Sequence, residues 1–181
     1  MNDVVRMARA LDFAARKHVA QRRKGEAGEP YVNHLAEVAL LLAEATGGRD
    51  ANLIIAGLLH DTIEDQGVTF EELAGHFGSD VATLVAEVTD DRTLAKAERK
   101  RLQVATAPHK SERARMLKIA DKTANLHSVL TSPPKHWSAE RADEYFAWAR
   151  RVVDGCRGVN AQLEAAFETA YAAGVERRRG R

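Results

Sequence analysis

At 181 residues, with 45% hydrophobic and 29% charged side chains, the chain suits one globular domain with a sizeable core and falls outside the disordered and fibrous classes. A net charge of +1 excludes the broad basic field that duplex nucleic acid demands, and no run approaches the ~20 apolar residues that span a bilayer. Cys156 is the one cysteine, so no internal disulfide is possible and a reducing compartment is the simplest setting.

Few aromatics and abundant Ala and Leu favour helices over sheets, and the helix signals come in order. Apolar positions recur at helical spacing over 3–19, at Val4, Met7, Ala8, Leu11, Ala14 and Ala15. This amphipathic start has no long apolar centre of the signal-sequence kind, and the expectation is a cytoplasmic protein with no membrane or nucleic-acid partner. The basic segment Gln21-Arg22-Arg23-Lys24-Gly25 follows. A second helix is expected from about Pro30 to Thr46, ending at Gly47-Gly48. Asp50 suits the N-cap of a third, whose run Leu53-Ile54-Ile55-Ala56-Gly57-Leu58-Leu59 is apolar on every side and therefore reads as buried. Thr69-Phe70-Glu71-Glu72 is a capping box for a fourth, stopped near Gly78.

Further helices are expected over Asp80–Val88, over 94–106 with heavy charge, and from Ser111 to Leu130 before Ser132-Pro133-Pro134. The face Ala82 to Val88 reads as core or as an interface between copies. Ser138 caps a helix to about Asp154, and Asn160 caps the last, to about Ala173. No period-2 strand appears, so the expected fold is all-α, with about nine helices. The domain is expected to span 1–175. Residues 176–181 carry four arginines and read as a basic, disordered tail.

The strongest chemical signal is His60-Asp61-Thr62-Ile63-Glu64-Asp65, directly after the most apolar run in the chain. A buried charge costs several kcal/mol unless a partner or a metal compensates it. Residues i and i+4 share a helical face, so Glu64 falls one turn beyond His60 and Asp65 one turn beyond Asp61. One pair can hold a metal while the other reaches a neighbouring water. The plainer reading is a helix that ends at His60 with a solvated tail. Two more candidate ligands stand in apolar helices. His34 opens a helix that continues Leu35, Val38, Leu41 and Leu42, and Asp121 lies among Leu117, Ala124 and Asn125. Taken alone, the first reads as a satisfied core histidine and the second as a partner of Lys118 or Lys122. Together they give the order H…HD…D. Two imidazoles and two carboxylates suit manganese, iron or zinc.

That order is the HD-domain pattern, and further stretches narrow the resemblance. They are Phe13-Ala14-Ala15-Arg16-Lys17-His18, Gln21-Arg22-Arg23-Lys24, Pro30-Tyr31-Val32-Asn33-His34, Leu58 to Asp65, Glu87 to Asp91, Glu98 to Gln103, Ala120-Asp121-Lys122, Asn125-Leu126 and Glu144 to Ala149. Through them the chain resembles the hydrolase domain of the Rel/Spo alarmone enzymes, and more closely the free-standing Mesh-type small alarmone hydrolases. The resemblance implies an HD-type helical bundle and hydrolysis of the 3′-diphosphate of ppGpp or pppGpp to GDP or GTP and pyrophosphate. It implies one Mn2+ (or another divalent ion) on His34, His60, Asp61 and Asp121, with Glu64 and Asp65 as the acid–base pair. It also implies Arg23 and Lys24 on phosphates, and Asn125 and Tyr145 on the nucleotide, with Lys96 and Arg141 as further substrate contacts. Short charge runs such as 21–24 and 96–101 are otherwise solvated faces, and Tyr145, Phe146 and Trp148 read as core when taken as a group. Where relatives carry a bulky apolar residue, an aromatic and an arginine, this chain has Thr123, Ala124 and His127. A 2′-phosphatase acting on NADPH would use the same site. A non-catalytic nucleotide-binding module would spare the phosphate contacts but damage the metal set, and here that set is whole.

Overall fold

The computed structural model describes residues 2–179. Ten α-helices carry the fold among those residues: α1 (Asp3–Lys17), α2 (Val32–Thr46), α3 (Ala51–Leu59), α4 (Thr62–Gln66), α5 (Phe70–Phe77), α6 (Ser79–Val88), α7 (Lys96–Thr106), α8 (Glu112–Thr131), α9 (Ala139–Asp154) and α10 (Ala161–Arg179). A 3-10 turn, Ala107–His109, joins α7 to the segment before α8. Nine of the ten correspond to the helices expected from the sequence, and the tenth is the one-turn α4. The predicted caps Asp50, Thr69, Ser138 and Asn160 form, and Ser111 adds a fifth. The side chains of Asp50, Thr69, Ser111, Ser138 and Asn160 accept from the backbone N–H of Leu53, Glu72, Ala114, Arg141 and Leu163. Each satisfies a donor that the first turn leaves free.

The apolar α3 is the centre of the molecule. All its residues but Asn52 are buried, and it packs against α1, α2, α6 and α8. Gly57 permits the close approach of α2: a Cβ there would lie 2.8 Å from Leu42 Cδ1 and 3.5 Å from the Ala39 Cα. Helix α8 is the second central element, packed on α2, α6, α9 and α10. Val81, Ala82, Leu84, Val85 and Val88 of α6 are all buried in the same core, which assigns that face to the interior of the chain rather than to an interface.

Two expectations are corrected. The apolar run does not continue as one helix through the acidic residues. It stops at Leu59, His60 and Asp61 form a turn, and α4 starts again at Thr62. Thr62 helps to make the break, its hydroxyl donating to Leu59 O at 2.6 Å. The Asp65 N–H still reaches Asp61 O at 2.8 Å, so the one-turn relation of those two residues survives. At the other end, α10 does not fray at Ala173 but runs to Arg179, so Glu176 and Arg177 are helical rather than disordered. The cause is tertiary: Gly174 is packed so tightly on the Phe146 ring that a Cβ would clash with it, and the Arg177 guanidinium donates to Leu130 O. Gly180 and Arg181, the end of the expected tail, lie outside the described residues. No helix among the described residues is long and apolar enough to cross a membrane.

Candidate active site

Three helices bring the candidate ligands together: α2 supplies His34, the turn after α3 supplies His60 and Asp61, and α8 supplies Asp121. One donor atom each from His34, His60 and Asp121 lies within 4.8 Å of the others, and all three residues are buried. Asp121 Oδ1 is 3.3 Å from His34 Nε2 and 3.7 Å from His60 Nε2. Asp61 adjoins them, with Oδ2 at 3.1 Å from His60 Nε2 and 3.8 Å from His34 Nε2.

The environment of His60 argues for a cation at this point. Its Nδ1 lies 2.8 Å from Gly57 O. In the neutral ring that carbonyl requires the proton on Nδ1 and leaves Nε2 with a lone pair. Nε2 is buried without a hydrogen-bond partner, yet faces two carboxylates. A divalent ion fits a lone pair and two carboxylates, and the donor set is one that such ions favour. Without the ion, burial alone would lower His60, but Asp61 and Asp121 outweigh it and push the imidazole up to about 10. Burial holds His34 below the ordinary histidine value. For Asp121, burial works upward, but Lys122 and the two imidazoles hold its carboxyl well below the usual range.

The surroundings fix both acids. Tyr31 donates its hydroxyl to Asp61 Oδ2 at 2.5 Å. Burial first, and then the Asp61 charge, raise the phenol far above its ordinary pKa, so it stays a donor. Lys122 Nζ lies 2.7 Å from Asp121 Oδ2, and Asn125 Nδ2 donates to Asp121 Oδ1 at 2.6 Å. The Arg23 guanidinium in turn donates to Asn125 Oδ1 at 3.0 Å and lies over the Tyr31 ring.

A cavity of about 460 Å³ opens from this cluster. Arg23, Lys24, His60, Asp61, Glu64, Asp65, Lys96, Asp121, Asn125, Arg141 and Tyr145, all named from the sequence, line it. His34 lies behind the others, in the wall of a smaller hollow beside Glu37 and His127. Glu64 is half-buried at the rim. Its Oε2 accepts from the Asp90 N–H at 3.2 Å, and Arg99 lies 3.9 Å from Oε1. Burial lifts its pKa, the Asp90 N–H opposes that, and the charges of Asp90, Asp61 and Asp65 lift it further. Asp65 is held at both oxygens, by Arg92 Nη1 at 2.8 Å and by Gln21 Nε2 at 2.7 Å.

Part of the cavity lining is cationic and aromatic. Lys24, Lys96, Arg99, Lys100 and Arg141 belong to it. Burial, and then the charges of Arg141, Lys24 and Arg99, hold Lys96 below the ordinary lysine value. Crowded cations with few carboxylate partners suit a polyanion, which relieves their repulsion. Tyr145 stands between Trp137 and Trp148, at 5.2 and 5.4 Å between ring centroids. Trp148 carries Lys100 and Lys122 on its ring at 4.6 and 4.7 Å. Phe146, by contrast, belongs to the core. Sequence reasoning missed Gln21, Arg92, Lys100, Lys118, Lys122, Trp137 and Trp148 as cavity residues. Gln21, Lys100, Lys122 and Trp148 stand within the stretches that carry the family resemblance, which was the signal that could have found them.

The HD domain family matches residues 10–172. The human guanosine-3′,5′-bis(diphosphate) 3′-pyrophosphohydrolase MESH1 is 49% identical over 92% of this chain and 93% of its own. Its Drosophila melanogaster counterpart is 47% identical over 85% and 86%. A solved structure described as a metazoan ortholog of SpoT that hydrolyzes ppGpp superimposes with a TM-score of 0.88, at 44% identity over 92% of this chain and 94% of that one.

Proposed function

The chain belongs to the HD-domain family, within it to the MESH1-type guanosine-3′,5′-bis(diphosphate) 3′-pyrophosphohydrolases, and from that premise we propose that it removes the 3′-diphosphate of ppGpp and pppGpp. The observation that carries this reading is the join of two environments in one cavity: a buried histidine–carboxylate cluster beside two rim carboxylates, and a group of lysines and arginines in the same lining. Water is added across the bond between the 3′ oxygen and its phosphorus. The phosphorus takes the hydroxyl, the 3′ oxygen takes the proton, and GDP or GTP leaves with pyrophosphate as the second product.

His34, His60, Asp61 and Asp121 are the residues that would hold a divalent ion, with manganese as the proposed one. When bound, the ion supplies Lewis acidity toward water and a phosphoryl oxygen. The remaining work falls to side chains. Glu64, whose pKa burial raises, takes the proton of the attacking water. Asp65, pinned at both oxygens, orients that water. Arg23 and Lys24 hold the 3′-phosphates, next to Asn125, and Lys96 and Arg141 hold the 5′-phosphates. Tyr145, flanked by Trp137 and Trp148, offers the base an aromatic face. A nucleotide substrate and a single buried cysteine suit the cytoplasm.

The substrate assignment is tested by measuring kcat/KM for ppGpp and for NADPH on one manganese-loaded preparation. The expected result is at least about a tenfold preference for ppGpp, about 1.4 kcal/mol in transition-state binding. A preference for NADPH would replace the alarmone reading by that of a 2′-phosphatase.

A further inference from the structure

The loop between α1 and α2 is folded back on itself. Tyr31 N–H donates to Gln21 O at 3.1 Å, Arg23 N–H donates to Glu29 O at 2.8 Å, and an isolated antiparallel bridge pairs Arg22 with Pro30. This fixes the backbone of Gln21, and its side chain reaches Asp65 and Gln66 of α4 and His18 at the end of α1. Gln66 Nε2 donates to Gln21 Oε1 at 2.5 Å, and His18 Nδ1 lies 2.6 Å from the same oxygen. A carboxylate oxygen accepts, so the amide nitrogen Nε2 faces Asp65 Oδ2, at 2.7 Å, and the amide oxygen turns to Gln66 and His18.

His18 is itself fixed. It is buried, and its ring stacks on Tyr31 at 5.1 Å and 16°. Tyr31 is the residue that donates to Asp61. A closed ring of contacts therefore runs from Asp61 through Tyr31, His18 and Gln21 to Asp65, and the Asp65 N–H returns to Asp61 O. The second anchor of Asp65, Arg92, is 55% exposed, so its hold is screened and weak. Gln21 is the sheltered one.

We propose that Gln21 is a positioning residue, its amide oriented by His18 and Gln66 so that it holds Asp65 in register with Asp61. The inference rests on the proposed function only in taking Asp65 to act on the attacking water. A group that acts through another loses its effect when that other group is removed. Gln21→Leu is expected to lower kcat about 10- to 100-fold, the cost of misplacing a catalytic group by about 1 Å, with KM and manganese stoichiometry unchanged. In an Asp65→Asn background, followed in single-turnover reactions at high enzyme concentration, Gln21→Leu is expected to cost nothing more.

Gln21→Glu separates positioning from packing, since it keeps size and shape but turns a second carboxylate toward Asp65. It is expected to lower kcat at least as far as Gln21→Leu. Full additivity of Gln21→Leu with an impaired Asp65→Asn, or wild-type kcat in Gln21→Glu, would overturn the positioning role while leaving the proposed function standing. Undiminished turnover by Asp65→Asn itself would overturn the positioning role and remove Asp65 from the chemistry, while hydrolysis of ppGpp would still stand.

Discussion

Asp121→Ala is expected to abolish turnover and metal binding together and to lower the melting temperature. Asp121 is the hub of the site. Its Oδ1 meets both imidazoles and the Asn125 amide, and its Oδ2 meets Lys122. Loss of a ligand removes the several kcal/mol of charge stabilisation that a metal supplies, a fall of at least about 10³-fold in kcat. The same substitution strands Lys122, which is 4% exposed. Breaking a buried pair by deleting one partner costs about 3–5 kcal/mol, on the order of 10 °C in a chain of this size. Asp121→Asn keeps the shape and an oxygen for Lys122, so it should lose the metal while keeping more of the stability. Titration calorimetry with manganese and a thermal melt on both variants check this. Turnover by well-folded Asp121→Ala at the wild-type rate would remove Asp121 from the ligand set.

Glu64→Gln is expected to lower kcat by about 10²- to 10⁴-fold, the range for loss of a general acid–base group, with KM and metal binding close to wild type. The pH profile identifies the role. A base must be ionised, so wild-type kcat is lost as pH falls through the pKa of Glu64. Burial and the nearby carboxylates raise that pKa, so the loss sets in above the ~4.3 of an ordinary glutamate. Rates over roughly pH 4 to 8 should show this limb in the wild type and not in Glu64→Gln. An unchanged limb in the variant would assign it to another group.

Much of this was legible in the sequence because it is local. Caps such as Asp50 and Asn160 act on residues three positions away, and the apolar α3 declares its own burial. His34, His60 and Asp121 are ionisable residues on apolar stripes, and the fold brings them together. What stayed hidden is tertiary. Gln21 meets Asp65 across 44 positions and Arg23 meets Asn125 across 102, so neither partner is visible from its neighbours. The break at His60–Asp61 depends on a threonine hydroxyl turning back onto Leu59 O. The extension of α10 depends on Phe146, from another helix. Trp148 looked like core and is both buried and part of the cavity wall, which no periodicity distinguishes.

On the proposed function, this cavity hydrolyses ppGpp with the help of a divalent ion on the histidine–carboxylate cluster. The most direct test incubates metal-stripped protein with ppGpp, with and without manganese, and follows GDP and pyrophosphate by ion-exchange chromatography. No turnover is expected without the ion, and equal release of both products when it is returned. Equal turnover by the stripped protein, or none by folded, manganese-loaded protein, would contradict the proposed function.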